Sequence, residues 1–250
     1  MSALVRAGHE VRVLETAGDL ARAAREELVR TGEAAIEERG RFTVVLSGGS
    51  TPKTLYASLS VKDLDWSKVH VFFGDERCVS PDRQESNFKM AQESMLLRLK
   101  IPAENVHRIH GEMESAEAAA AQYEEEIRLV FGPTEGPPRF DLVLLGLGTD
   151  GHTASLFPGC SALEEKERWV AATFVARLSR TRITMTLPVL NRAALVIFLI
   201  AGDEKAEAAR RAIEGGLLSP EVPAHRIDPQ GGRVLWLLDR LAATRLSSKS

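Results

Sequence analysis

The chain has 250 residues, 44% of them hydrophobic, enough to bury a sizeable core in one large α/β domain or two small ones. Its formal net charge of −3 is spread along the sequence with no Lys/Arg-rich run, which excludes a nucleic-acid footprint at the level of composition. No apolar run approaches the roughly 18 residues that a membrane-spanning helix needs, and Cys78 and Cys160 have neither a metal spacing nor a disulfide framework.

These bounds predict a soluble, cytoplasmic protein in a reducing compartment, with no metal and no cofactor. The first ten residues carry no apolar stretch ahead of their charges, so no secretory signal is expected.

A short strand is expected over 11–14. Leu20, Ala23, Ala24, Glu27, Leu28, Thr31, Ala34 and Ala35 recur at helical spacing and predict a long helix ending near Gly40. A strand at 42–46, a helix at 52–59 and a strand at 69–73 follow. Helical patterns cover 87–99 and 116–131, the second with a Glu-rich exposed face. Strands are expected at 140–145, 169–175, 182–187 and 195–201. A helix over 203–215, a strand at 234–238 and a short C-terminal helix complete the series. Strands alternating with helices of this length imply an α/β fold, a mostly parallel sheet with helices on both faces. The Pro/Gly cluster at 132–138 reads as a surface loop inside one domain spanning 1–250.

Four strand ends carry polar residues suited to chemistry, and ligands of open α/β sheets sit at such ends. After the strand at 42–46 comes Ser47-Gly48-Gly49-Ser50-Thr51-Pro52-Lys53. Its glycines let backbone N–H groups approach an anion, Pro52 suits a first helical turn, and Ser50 or Thr51 can cap the helix. The loop lacks the Gly-Lys-Ser/Thr ending of a Walker loop and the glycine spacing of a nucleophile elbow. An ordinary glycine-rich turn is the plainer alternative. After the strand at 69–73 stand Asp75, Glu76 and Arg77, costly to desolvate unless they bind something or one another. An ion pair of Glu76 with Arg77 would be a structural use of them, while Asp75 and Arg77 can still face a cleft.

The third loop is Gly146-Leu147-Gly148-Thr149-Asp150-Gly151-His152, after the apolar run 140–145. It puts a carboxylate and an imidazole together, and an imidazole is the side chain best suited to act as a base near neutrality. A surface turn that happens to hold both is the plain alternative. The fourth strand end carries Asp203, Glu204 and Lys205, where a cation at a helix start needs an anionic partner or solvent. His107 and His110 have metal-like spacing but no third ligand, and His9, His70 and His225 stand alone.

At these motifs the chain closely resembles the 6-phosphogluconolactonase family. The resemblance rests on Ser47 to Pro52, Phe73 to Arg77, Ser86-Asn87, Gly146 to Pro158, Arg182 to Asn191 and Gly202 to Ala206, in family order over about residues 10–240. It implies a Rossmann-like fold and hydrolysis of 6-phosphoglucono-δ-lactone to 6-phosphogluconate, in the oxidative pentose phosphate pathway. The related glucosamine-6-phosphate deaminases share the first three loops but typically place a Glu of their proton relay five residues past the His, where this chain has Phe157. A sugar-phosphate-sensing domain of a transcriptional regulator is a third reading. Only about ten residues precede the first expected strand, too few for a helix-turn-helix.

The resemblance and the residue types together give a set of expected roles. His152 takes a proton from the attacking water and returns one to the departing ring oxygen, with Asp150 or Asp75 orienting the imidazole. Arg77 and backbone N–H groups are candidates for the developing oxyanion. Gly48, Gly49, Ser50 and Thr51 are expected to hold the phosphate, with Lys205 and Arg182 as counter-charges; Arg177 or Arg180 could replace Arg182.

Overall fold

The most apolar segments of the sequence lie in the middle of a sheet. The computed structural model describes residues 8–215 and 221–247. Its strands are β1 (His9–Leu14), β2 (Phe42–Leu46), β3 (Val69–Phe73), β4 (Asp75–Arg77), β5 (Leu142–Leu145), β6 (Val170–Val175), β7 (Arg180–Met185), β8 (Leu195–Ile200) and β9 (Arg233–Asp239). β2, β5 and β8 are buried at every position, so both faces of the sheet are covered there. The helices are α1 (Ala17–Arg39), α2 (Ser50–Ser58), α3 (Asn87–Ala91), α4 (Leu97–Leu99), α5 (Ala116–Phe131), α6 (Leu187–Leu190) and α7 (Ala206–Glu214). A π-helical stretch, Gln92–Leu96, joins α3 to α4, so the helix expected over 87–99 is continuous.

Six strands pair in the order β1-β9-β8-β5-β2-β3, and every pairing is parallel. The chain leaves β2 toward β3 on one side and returns on the other side of β2 as β5. That reversal opens a crevice at the carboxyl ends of β2 and β5, the place where sheets of this class bind ligands. Two tyrosines pin the strand ends beside it. The Tyr56 hydroxyl accepts from Ser47 N at 3.0 Å and donates to Ser47 O at 2.9 Å. The Tyr123 hydroxyl does the same for Phe73, at 2.8 and 3.1 Å. Burial pushes both phenols well up, so each keeps the proton its donor role requires.

Three expectations need correction. The segments near 169–175 and 182–187 do not join the parallel sheet; β6 and β7 form an antiparallel hairpin with β4 in a separate sheet of order β4-β7-β6. The segment after β9 makes turns through residue 246 rather than a helix. α2 starts at Ser50 with Gly49 as its N-cap, and no side chain caps it. β4 and α6 have no counterpart among the expected elements, and the others lie within three residues of the expected bounds.

Candidate active site

The four strand-end loops converge on a cleft of about 290 Å³. Ser47, Gly48 and Gly49 line one side after β2, and Gly146, Gly148 and His152 the other after β5. β4 contributes Asp75 and Arg77, the β6–β7 hairpin contributes Arg177 and Arg182, and Lys205 enters after β8. Ser50 and Thr51 fall outside the cleft lining, in the first turn of α2. Arg180 is exposed at the start of β7 and also lies outside it.

The imidazole is held by its own loop. The Asp150 carboxylate lies 2.5 Å from His152 Nδ1 and accepts from His152 N at 3.2 Å. Burial alone would raise the Asp150 pKa, but the hydrogen bond and charge of His152, with Arg177 beyond, hold it down to about 2. An ionised carboxylate can only accept, so Nδ1 is the donor to Asp150, and in the neutral ring Nε2 is the nitrogen left with a lone pair. Among the described residues no protein group bonds to that Nε2, and the ring lines the cleft. The other face of the arrangement is apolar, with Phe157 stacked on His152 at 4.1 Å between ring centroids. Gly148 makes the fit possible: a Cβ there would lie 1.9 Å from His152 Nδ1.

Asp75, the alternative partner for His152, is engaged elsewhere. Ser155 Oγ donates to its Oδ2 at 2.6 Å, and Asn87 Nδ2 donates to Oδ1 at 3.2 Å and to the backbone carbonyl at 2.9 Å. A Cβ at Gly48 would meet Asn87 Oδ1 at 2.0 Å, so glycine is required where the β2 loop passes this amide. Glu76 does not pair with the Arg77 guanidinium. Its buried carboxylate accepts from the backbone N–H groups of Arg77, Asn87 and Phe88, each at 2.8 Å, and from Ser86 Oγ at 3.0 Å. Burial still raises the Glu76 pKa above its ordinary value. Glu76 therefore anchors the start of α3, leaving Asp75 as the acid of this pair that faces the cleft.

Several cations gather in the cleft. Arg77 and Arg182 are register partners across β4 and β7, where like charges repel unless something negative lies between them. Burial lowers the Arg182 pKa and the neighbouring Arg77 lowers it further, with Asp75 partly offsetting both. Neither Arg182 nor Lys205 has an ion-pair partner among the described residues. Ser47 Oγ at the end of β2 is buried without a hydrogen-bond partner. No three His, Cys, Asp or Glu side chains among the described residues gather closely enough to hold a metal ion.

Sequence reasoning named most of these groups and missed some of their supports. Asn87 and Ser155 lay inside recognised motifs, but their bonds to Asp75 join residues 12 and 80 positions apart. Arg177, an alternative to Arg182 as the phosphate counter-charge, lines the cleft and also meets Asp150, at 3.1 Å.

The model of the family described as glucosamine-6-phosphate isomerases/6-phosphogluconolactonase matches residues 15–236. The chain belongs to this family. Among the members it resembles, a 6-phosphogluconolactonase from Nostoc sp. (strain PCC 7120) is 44% identical over 86% of this chain and 89% of that protein. A solved structure from the family, 6-phosphogluconolactonase from Trypanosoma cruzi, superposes with a TM-score of 0.85 at 30% identity, covering 99% of each chain. A monomeric glucosamine-6-phosphate deaminase, at 24% identity and a TM-score of 0.74, shares the fold.

Proposed function

We propose that this chain is a 6-phosphogluconolactonase, hydrolysing 6-phosphoglucono-δ-lactone to 6-phosphogluconate. The observation that carries the reading is His152, oriented through Nδ1 by an ionised Asp150 with Nε2 open to a cleft rich in cations. An activated ester carbonyl needs only a base, an oxyanion stabiliser and a grip on the substrate. His152 Nε2 takes a proton from water as its oxygen bonds to C1, and Asp150 stabilises the resulting imidazolium. The tetrahedral intermediate then expels the ring oxygen, which receives the proton from His152 as the C1–O bond breaks. Arg77 and backbone N–H groups answer the charge on the carbonyl oxygen.

The phosphate is assigned to the Gly48–Gly49 backbone with Arg182 and Lys205. Ser47 Oγ, unpartnered within the protein, supports a polar ligand in the same place. Phe157 supports hydrolysis over deamination: an apolar ring packs on the imidazole where a proton-relay acid would be needed. Both cysteines are free, which supports a reducing, cytoplasmic setting. No helix among the described residues is long and apolar enough to cross a membrane.

The purified protein offered both candidate substrates tests this directly. Acid release from freshly made lactone should exceed spontaneous opening, in the presence of a chelator, and glucosamine 6-phosphate should yield no ammonia. Ammonia release, or activity lost on chelation and restored by a divalent ion, would overturn the reading.

A further inference from the structure

Arg177 stands in a 3₁₀ turn, Ala176–Leu178, at the tip of the β6–β7 hairpin. Its side chain is 49% exposed, yet it meets two parts of the imidazole site. Nη2 lies 3.1 Å from Asp150 Oδ2, and Cζ lies 4.9 Å from the centroid of the Phe157 ring that stacks on His152. The Asp150 carboxylate is thus divided, Oδ1 to His152 and Oδ2 to Arg177. We propose that Arg177 is a positioning residue for hydrolysis, which fixes the Asp150 carboxylate and the Phe157 ring and sets both the direction and the basicity of His152 Nε2. The proposal rests on the lactonase reading for its kinetics but not for its titration.

Stability is a poor explanation for this contact. A half-exposed ion pair contributes little net stability, and the hairpin is already held by the β6–β7 and β4–β7 ladders. The geometry suits arginine in particular. A planar guanidinium can pair with a carboxylate and lie over an aromatic ring at once, whereas an ammonium keeps the charge and loses the plane. Its charge has a definite sign of effect on the base. Asp150 favours the imidazolium, and a second cation on the same carboxylate opposes it. Asp75, Arg77, Arg182 and Lys205 line the same cleft, and replacing Arg177 leaves their own side chains unaltered. Removing Arg177 therefore makes the imidazole more basic, so that it is lost as a base at a higher pH.

The roles can be separated with Arg177→Ala and Arg177→Lys, each assayed for lactone hydrolysis across the neutral pH range. For Arg177→Ala the expectation is a kcat about tenfold lower with KM changed less than about twofold, as for a lost orienting contact. The acid limb of kcat/KM should move up by about half a unit to one unit. Arg177→Lys should restore the position of the limb but only part of kcat. An unmoved limb in Arg177→Ala would overturn the proposal, and so would a raised KM at unchanged kcat, which would make Arg177 a substrate-binding cation. NMR titration of the His152 imidazole in wild type and Arg177→Ala needs no substrate. It should show the same upward shift even if the lactone proves not to be the substrate, and an identical midpoint in the two proteins would sink the idea.

Discussion

Among the imidazole–carboxylate pairs of the described residues, two look alike in local geometry. In the cleft, His152 Nδ1 meets Asp150 at 2.5 Å; beside the outer strand β3, His107 Nδ1 meets Glu126 at 2.8 Å. Each ring also stacks on a phenylalanine, His152 on Phe157 at 4.1 Å and His107 on Phe72 at 4.4 Å. They differ at the other nitrogen. His107 Nε2 lies 3.2 Å from His70 Nδ1, within hydrogen-bond distance, and the His107 ring is buried. His152 Nε2 faces a cleft lined by Arg77, Arg182 and Lys205. A carboxylate on Nδ1 fixes a tautomer in both places, but only an open Nε2 beside a substrate site can act on water. On the proposed reading, function resides in what the second nitrogen is offered.

The comparison is most exposed to breaking by paired substitutions. His152→Asn should lower kcat by roughly 10²- to 10⁴-fold, the usual worth of a general base, with little change in KM. Asp150→Asn should fall in a similar range, because the amide cannot hold the same tautomer. Both are read on freshly made lactone after subtraction of spontaneous opening. A His107→Asn variant with an equal loss of kcat would erase the distinction between the pairs.

His107→Asn should act on stability instead, lowering it by about 1–3 kcal/mol in urea unfolding, because buried polar partners lose their bonds. Its kcat should stay within about threefold of wild type, since a contact distant from the substrate gives no differential transition-state binding. The smallest expected effect is one of pH. Burial, then His107 and Arg41, lower the His70 pKa below its ordinary 6.5. The unfolded chain then binds this proton more readily, so the contribution of His70 to stability is complete above about pH 6.5 and is lost progressively on acidification below it. His70→Asn should flatten that part of the stability profile, and an unchanged slope between about pH 7 and 5.5 would remove His70 from it.

Much of the frame was legible because burial leaves a simple signature. β5 and β8 read as apolar runs and β2 as one broken only by Thr43, and the loops after β2 and β5 carry glycine where side chains must pass closely, as at Gly48 and Gly148. The separate antiparallel sheet was not read, although the chain contains the reason for it. β6 and β7 are separated by residues 176–179 and β3 and β4 by Gly74 alone, whereas a parallel crossover needs a dozen residues or more. The choice between Asp150 and Asp75 could not be made from spacing. It depends on Ser155 and Asn87, which reach Asp75 only once β4, α3 and the β5 loop have packed together. The contact of Arg177 with Asp150 was hidden for the same reason, since the two residues lie on different elements.

The central claim is that His152 presents an unprotonated Nε2 to the substrate while His107 does not. Long-range proton–nitrogen NMR on imidazole-labelled protein near neutral pH reads this directly, with and without 6-phosphogluconate. The account predicts that His152 carries its proton on Nδ1, that its Nε2 resonance moves on adding the product, and that the His107 resonances stay in place. A proton on His152 Nε2 with a bare Nδ1, or a His152 signal indifferent to saturating product, would contradict it.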